Sequence, residues 1–401
     1  MKMKKRVILR RGREGSLLRF HPWVFSGAIL QAEGDISEGD TVEVISASGE
    51  TLGYGHYQIG SIAVRMLSFG ETVLGNDFWI EKFEAAFKLR DAVGVVREDN
   101  TAYRLIHGEG DMLPGLIVDI YGDTAVMQAH SAGMYLARKE IAAALKNLYK
   151  ERLSAVYDKS SSTAPFKASL DLMDQYLEGA NKGEAIIKEN GLLFSIDWIH
   201  GQKTGFFLDQ RDNRALLGSY SAGKRVLNLF CYTGGFSIYA LANGALSVDS
   251  VDSSSKAMSL LERNIEINRA DGKIPQDSIH NSITTDAIDF LRESSDNRYD
   301  LMIVDPPAFA KHRGALSNAL RAYQRLNAAA ISRIAPGGII FTYSCSQVVD
   351  KIAFAEAVFS AAASTGRRVR ILHRLTQPAD HPVNIYHPEG EYLKGLVLFV
   401  E

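Results

Sequence analysis

The segment that most restricts what this chain can become is Val226-Leu-Asn-Leu-Phe-Cys-Tyr-Thr-Gly-Gly-Phe-Ser237. It reads as a buried strand, a glycine turn and the start of a helix, a unit that needs neighbours of its own kind on both faces. Those neighbours are present. Beyond about residue 190, apolar strands alternate with helical patterns at 226–230, 236–242, 246–251, 255–268, 301–304, 315–334, 339–343 and 352–363. The alternation predicts an α/β domain, a parallel sheet with helices on both faces, of the Rossmann-like kind.

The rest of the chain has another texture. Residues 7–69 read as short strands between turn signals, among them 41–45, 51–57 and 62–67, and predict a small β-barrel. A helix is expected at 81–93, with Phe83, Ala86, Phe87 and Val93 close to one face. A hairpin is expected from 116–121 and 124–129 around Gly122-Asp123, then a second helix at 134–149. The tract 160–183 is polar and turn-rich and predicts no regular element. With 401 residues and about 150 per domain, two or three domains are expected. The boundaries suggested are 1–74 for the barrel, 75–190 for a central α+β domain and 191–401 for the Rossmann-like domain.

Composition narrows the function. At 46% hydrophobic and 23% charged, the chain is neither disordered nor fibrous. No apolar run reaches 18 residues, so no membrane partner is expected, and the apolar stretch from residue 7 to residue 9 is too short for a secretory signal. Two cysteines, Cys231 and Cys345, are too few for a disulfide framework or a cysteine-built zinc site. A reducing cytoplasm is the expected location. His373, His381 and His387 match no zinc spacing, so no metal is expected.

The net charge of −2 argues at first against nucleic acid. It conceals an asymmetry. Lys2, Lys4, Lys5, Arg6, Arg10, Arg11, Arg13 and Arg19 stand against Glu14 alone, which makes the first twenty residues +7 and the remainder −9. Such a terminus is either a solvated arm or a contact for an acidic polymer. Trp23 and Phe25 read as core before they read as base-stacking platforms.

The glycine turn carries the first chemical signal. Asp252 follows Gly234 by eighteen residues, at the end of the next strand, where an acid can hold both hydroxyls of a ribose. The turn lacks the G-x-G-x-x-G triplet that seats a pyrophosphate, so a cofactor without phosphate, S-adenosylmethionine, fits better than NAD. Asp286, after the third strand pattern, could accept from an adenine amino group.

The second signal sits on two further strand ends. Leu301-Met-Ile-Val-Asp-Pro-Pro-Ala-Phe309 puts Asp305 at the carboxyl end of a strand, stiffened by Pro306 and Pro307. The next strand ends in Ser344-Cys345-Ser346. An acid and a thiol beside a methyl donor suit carbon 5 of cytosine. A thiolate adding at C6 makes C5 enamine-like, and an acid at N3 stabilises the adduct. Exocyclic-amine methylation manages with an Asn/Asp-Pro-Pro-aromatic loop, and here Ala308 holds the aromatic position. Cys231, inside the glycine loop, reads as packing.

On these residues the chain resembles the PUA-domain-containing class I methyltransferases that modify C5 of cytosine in large-subunit ribosomal RNA. His21-Pro-Trp-Val-Phe-Ser-Gly27 resembles the start of their RNA-binding PUA barrel, and the run from Arg104 to Tyr121 resembles their central domain. Gly201-Gln-Lys-Thr-Gly-Phe-Phe-Leu-Asp-Gln-Arg211, Asp305-Pro-Pro-Ala-Phe-Ala-Lys311 and Tyr343-Ser-Cys-Ser346 complete the similarity over nearly the whole chain. The resemblance implies Cys345 as nucleophile and Asp305 as the acid that orients the base. It implies S-adenosylmethionine held by Asn228, Phe230, Tyr232, Thr233, Gly234 and Gly235, by Asp252 and Ser253, by Asp286 and Ala287, and by Asp305 and Pro306. Lys203, Phe207, Asp209 and Arg211 would close over the cofactor. One departure is Tyr157-Asp-Lys-Ser-Ser-Ser-Thr163, which lacks an arginine–acid pattern expected there. Two other functions stay open at this point: guanine-N2 methylation on the same fold, and a non-catalytic RNA-binding ribosome-assembly factor. Oligomeric state also stays open, a homodimer included.

Overall fold

The computed structural model describes residues 5–72, 74–75, 77–165, 170–293, 298–310 and 312–401. The chain forms two compact units. The first comprises Met1–Ile187, Asp197–Leu208 and Ala379–Gly390; the second comprises Lys188–Ile196, Asp209–Pro378 and Glu391–Glu401.

The first unit begins with six strands: β1 (Arg6–Leu9), β2 (Trp23–Phe25), β3 (Ile29–Glu33), β4 (Thr41–Ile45), β5 (Thr51–Tyr57) and β6 (Ile62–Phe69). They pair in the order β2-β6-β5-β4-β1-β3 around a core that includes Val7, Leu9, Val24, Val42, Val44, Val64 and Met66. The basic terminus is therefore not an arm over its described length. β1 lies inside the sheet, antiparallel to β3 and parallel to β4. Lys5 pairs with Asp40 at 2.5 Å and Arg6 with Glu43 at 3.0 Å, while Arg10, Arg11, Arg13 and Arg19 are exposed. Lys2 and Lys4 lie outside the described residues. The core expectation fails for Phe25, which is 48% exposed on an edge strand. Trp23 is half-buried, and its indole N–H donates to Glu109.

A second sheet follows, built from β7 (Ala102–His107), β8 (Leu116–Tyr121), β9 (Thr124–Ala129), β10 (Ala155–Asp158) and β11 (Gln175–Glu178), with α1 (Phe78–Ala92), α2 (Ala132–Leu136) and α3 (Arg138–Tyr149). The hairpin of β8 and β9 has the bounds expected from the sequence, and Gly122 supplies the positive φ of its turn. Two helices differ from expectation. On α1 the inner stripe runs Phe83, Ala86, Arg90; Val93 lies past the helix end and is 43% exposed. Arg90 can be buried there because Asp111 and the carbonyls of Arg104 and Asp380 take its donors. The single helix expected at 134–149 is two, divided at Ala137, the first capped by Ser131 accepting from the Met134 N–H. Gly133 brings α2 against β5, since a Cβ there would meet the His56 ring at 2.1 Å. β11 arises in the tract expected to lack structure; it shows no alternation of buried and exposed residues to read.

A two-stranded ribbon, β12 (Glu184–Glu189) and β13 (Leu192–Asp197), brings Lys188–Ile196 into the second unit. That unit contains α4 (Arg211–Ser221), β14 (Arg225–Leu229), α5 (Gly235–Ala242), β15 (Ser247–Asp252), α6 (Ser255–Ala270), β16 (Ile279–Thr284), α7 (Ala287–Glu293), β17 (Leu301–Val304), α8 (Leu316–Arg333), β18 (Gly338–Ser344), α9 (Lys351–Thr365), β19 (Val369–Leu375) and β20 (Lys394–Val400). Its sheet runs β16-β15-β14-β17-β18-β20-β19. The five strands from β16 to β18 are parallel, as the alternation predicts, and β20 enters antiparallel to both neighbours. The parallel sheet is therefore completed by an antiparallel pair that the pattern did not signal. Central strands β14 and β17 are buried almost throughout. Among the described residues no helix is long and apolar enough to cross a membrane.

Candidate active site

Strand order reverses between β14 and β17, and in open α/β sheets ligands bind at such a point, outside the carboxyl ends. Parallel register puts those ends level: Leu229 lies beside Val251 and Val304, and Val304 beside Thr342. The loop after β14, Asp252, Asp305 and Cys345 therefore share one edge of the sheet.

The loop after β14 is tightly wound. Phe230 and Tyr232 have φ of 58° and 48°, and Gly234 has φ of 80°. Two side-chain-bearing residues in the left-handed region cost on the order of 1 kcal/mol each, a cost found mainly where function needs the geometry. Asp252 holds the loop, since its carboxylate accepts from the N–H groups of Tyr232 and Ser254, both at 2.9 Å. The glycines serve packing as well as turning. A Cβ on Gly234 would lie 1.9 Å from Leu261, and one on Gly235 would lie 2.9 Å from Arg214. Arg214 is itself buried and paired with Glu189.

Asn228 is buried in β14, and its amide N–H donates to Ser237. Its carbonyl oxygen is buried without a hydrogen-bond partner, an acceptor left to a ligand or a water. Thr233 is buried, and its carbonyl accepts from Asn264. Ser253 is exposed. Asp286 is exposed and caps α7 through the N–H groups of Ile288 and Asp289, with Ala287 buried behind it. An orphan amide oxygen, an acid at the ribose position and a second acid near the third strand fit a phosphate-free nucleoside such as S-adenosylmethionine. Cys231 is packed, its thiol directed at the Tyr232 carbonyl and at Met258, and burial pushes it up. Lys203 and Phe207 belong to the first unit, where the Lys203 ammonium lies 4.5 Å over the Phe207 ring. Asp209 and Arg211 belong to the second, and Asp209 accepts from the Tyr392 hydroxyl at 2.6 Å.

At the reaction end, Asp305 accepts from the Gln210 side chain at 2.9 Å, and Gln210 is held by Asn213. Pro306 is buried behind the carboxylate. Of the three residues Ser344-Cys345-Ser346, the serines are fully buried and tied down: Ser344 donates to Tyr323, and Ser346 to the Ala310 carbonyl. Cys345 is the partly exposed one. Burial pushes Tyr323 up to about 12, which keeps it a neutral donor and acceptor beneath the thiol. Phe309 rests on Tyr323, with ring centroids 4.7 Å apart, so it is committed to packing. Lys311 lies outside the described residues. Sequence reasoning missed Gln210, although it sits inside the signature ending at Arg211, and missed Lys394, whose only signal is a lysine opening an apolar strand.

Comparison with known proteins agrees with this geometry. A family model for S-adenosylmethionine-dependent methyltransferases matches residues 166–394, and one for PUA-like domains matches residues 7–69. Ribosomal RNA large subunit methyltransferase I of Aeromonas hydrophila is 40% identical over 402 residues, covering 99% of each chain. The chain belongs to the ribosomal RNA large subunit methyltransferase I family. The protein of that name from Pseudoalteromonas atlantica is 41% identical, over 98% of this chain and 99% of its own. The crystal structure of SMU.776 complexed with SAH has the same fold, with a TM-score of 0.83 at 24% identity over 98% of this chain and 100% of that one. This member of the family is thus an S-adenosylmethionine-dependent methyltransferase with an N-terminal PUA-like domain.

The histidines considered for a metal separate. His373 bonds to Tyr220, and His381 is buried against Asp380. His387 groups with His21 and Glu389, their ligand atoms within 4.8 Å of one another, a set the sequence spacing did not suggest.

Proposed function

We propose that this enzyme methylates C5 of a cytosine in large-subunit ribosomal RNA, with Cys345 as nucleophile and Asp305 at the N3 edge of the base. The reading is carried by the arrangement of Ser344-Cys345-Ser346, in which both serines are buried and occupied while Cys345 is partly exposed, one strand from Asp305. Ala308 holds the position of the aromatic in an exocyclic-amine loop, and Phe309 packs on Tyr323, which favours carbon over nitrogen.

S-adenosylmethionine, when bound, supplies an electrophilic methyl group. The chain's residues do the rest. The Cys345 thiolate forms a bond to C6, and the electron pair displaced toward C5 makes that carbon the nucleophile. Asp305, fixed by Gln210, stabilises the adduct through N3. After transfer a base takes the C5 proton, the C5–H electron pair re-forms the C5–C6 double bond, and the C6–S bond breaks to release the thiolate. The loop from Asn228 to Gly235, with Asp252, Ser253, Asp286, Ala287 and Pro306, holds the cofactor, and Asp209 and Arg211 cover it. In this division of labour residues 1–74 hold RNA, 75–190 form the central domain and 191–401 carry the transfer. Exposed Phe25 and the exposed arginines 10, 11, 13 and 19 supply stacking and phosphate contacts.

RNA containing 5-fluorocytidine at the target tests the reading, because a fluorine at C5 cannot leave as a proton does. A covalent protein–RNA species mapped to Cys345, and loss of both trapping and methylation in Cys345→Ala, are the expected results. Full activity of Cys345→Ala would move the assignment to amine methylation.

A further inference from the structure

The buried lysine beside the thiol has no role in the chemistry above. Lys394 opens β20 and pairs in register with Ser344, the residue before Cys345. It is 5% exposed. Its ammonium donates to the carbonyl of Ser346, the residue after Cys345, at 2.5 Å and to the Tyr392 carbonyl at 2.6 Å. An ammonium has three donors, so one anchors it to the main chain next to Cys345, one to its own segment at Tyr392, and one remains. Both anchors are neutral.

We propose that Lys394 is a positioning residue that holds Cys345 in the thiolate form needed for attack on C6. The inference rests on Cys345 being the nucleophile. A buried cation beside a thiol stabilises the anion, the usual way a cysteine is made reactive. The coupling works in both directions. Burial pulls Lys394 down to about 8, against which a charge at Cys345, helped by Glu391 and Asp350, pushes it up. Near the thiol act also Tyr323, neutral at ordinary pH, and Asp305 on the neighbouring strand end. In its carboxylate form Asp305 opposes thiolate formation, which gives a cation on the other neighbouring strand a purpose.

Iodoacetamide alkylation of Cys345, read by mass spectrometry in the full-length protein between pH 6 and 10, tests this without RNA or cofactor. In Lys394→Met the rate at pH 7 should fall about tenfold or more and rejoin the wild-type rate near pH 10. In Lys394→Arg the wild-type profile should be largely kept. Superimposable profiles for wild type and Lys394→Met would overturn the proposal. So would a loss in Lys394→Met that is equal at every pH, because a merely structural role lowers access to the thiol without moving the profile. The two readings fail separately. A displaced profile without 5-fluorocytidine trapping would remove the cytosine mechanism and leave the coupling. Trapping with unmoved profiles would do the reverse.

Discussion

Replacing Gly234 by alanine tests whether the glycine turn is there for the packing around it. Two terms act. An alanine at φ of 80° costs about 1–2 kcal/mol from the clash of its Cβ with backbone. The new Cβ would also lie 1.9 Å from Cδ1 and 3.1 Å from Cγ of Leu261, which is fully buried on α6 and cannot swing into solvent. Such overpacking costs about 1–3 kcal/mol, so Gly234→Ala should destabilise by about 2–5 kcal/mol. Leu261→Ala alone removes a buried leucine, at about 2–5 kcal/mol. In the double variant the added methyl occupies space the leucine vacated, so the overpacking term disappears while the backbone term and the loss of the buried leucine persist. The pair should therefore be less destabilised than the sum by about 1–3 kcal/mol. Urea unfolding followed by far-ultraviolet circular dichroism, run for all four proteins, gives the cycle. Additivity within about 0.5 kcal/mol would refute the packing argument, since residues in contact do not behave that way. Isothermal calorimetry with S-adenosylmethionine on the same proteins reports whether the strained loop is also what the cofactor reads, with weaker binding expected in both alanine-234 variants.

Two further outcomes follow from the first unit. Burial raises Asp158 to about 6, with Ser160 and Arg138 limiting the rise, so the folded state holds a proton that the unfolded chain gives up near 3.8. Its contribution is neutral below that pH, and stability is lost as pH climbs toward 6, reaching about 3 kcal/mol at neutral pH. Asp158→Asn should consequently gain on the wild type between pH 4 and pH 7 in thermal or urea unfolding, and parallel curves would contradict the burial argument. For RNA binding, the combined substitution of Arg10, Arg11 and Arg13 by glutamine should lower affinity. It should also reduce the slope of log affinity against log salt by about 0.7 for each phosphate no longer neutralised. Deleting the terminus is the wrong experiment, because β1 is an interior strand; an unchanged slope in the triple variant would place the RNA elsewhere.

What was legible in the sequence follows from the range of the interactions involved. The hairpin at β8 and β9, the strands β4 and β5 and the alternation from β14 to β18 are set by period and turn chemistry within a few residues, and all appear where that pattern puts them. The errors are equally regular. Arg90 on an inner helix face, β1 inside its sheet and the antiparallel entry of β20 depend on partners far along the chain, such as Asp111 and Asp380 for Arg90. Periodicity treats a buried arginine as a surface residue, because its partners are not in the window. Phe25 erred the other way: an aromatic on an edge strand has no second neighbour to cover it.

The same distinction divides the site. Positions at strand ends are local facts, so the loop after β14, Asp252, Asp305 and Cys345 could be placed on one edge from spacing alone. What tunes them is not local. The groups that hold Asp305 and bracket Cys345 are Gln210, from ahead of the sheet, and Lys394, from its last strand, 95 residues before the acid and 48 residues after Ser346. Sequence could therefore place the candidate thiol and acid on one edge, but not the groups that Gln210 and Lys394 bring to them. If methyltransferases of this family differ in rate while sharing their motifs, the differences are to be sought in these distant supports. Gln210 is held by Asn213, and Lys394 by two carbonyls, so each support is itself fixed by hydrogen bonds. A support so fixed passes a change in its own contacts on to Asp305 or to the segment of Cys345 without any change in the motif itself.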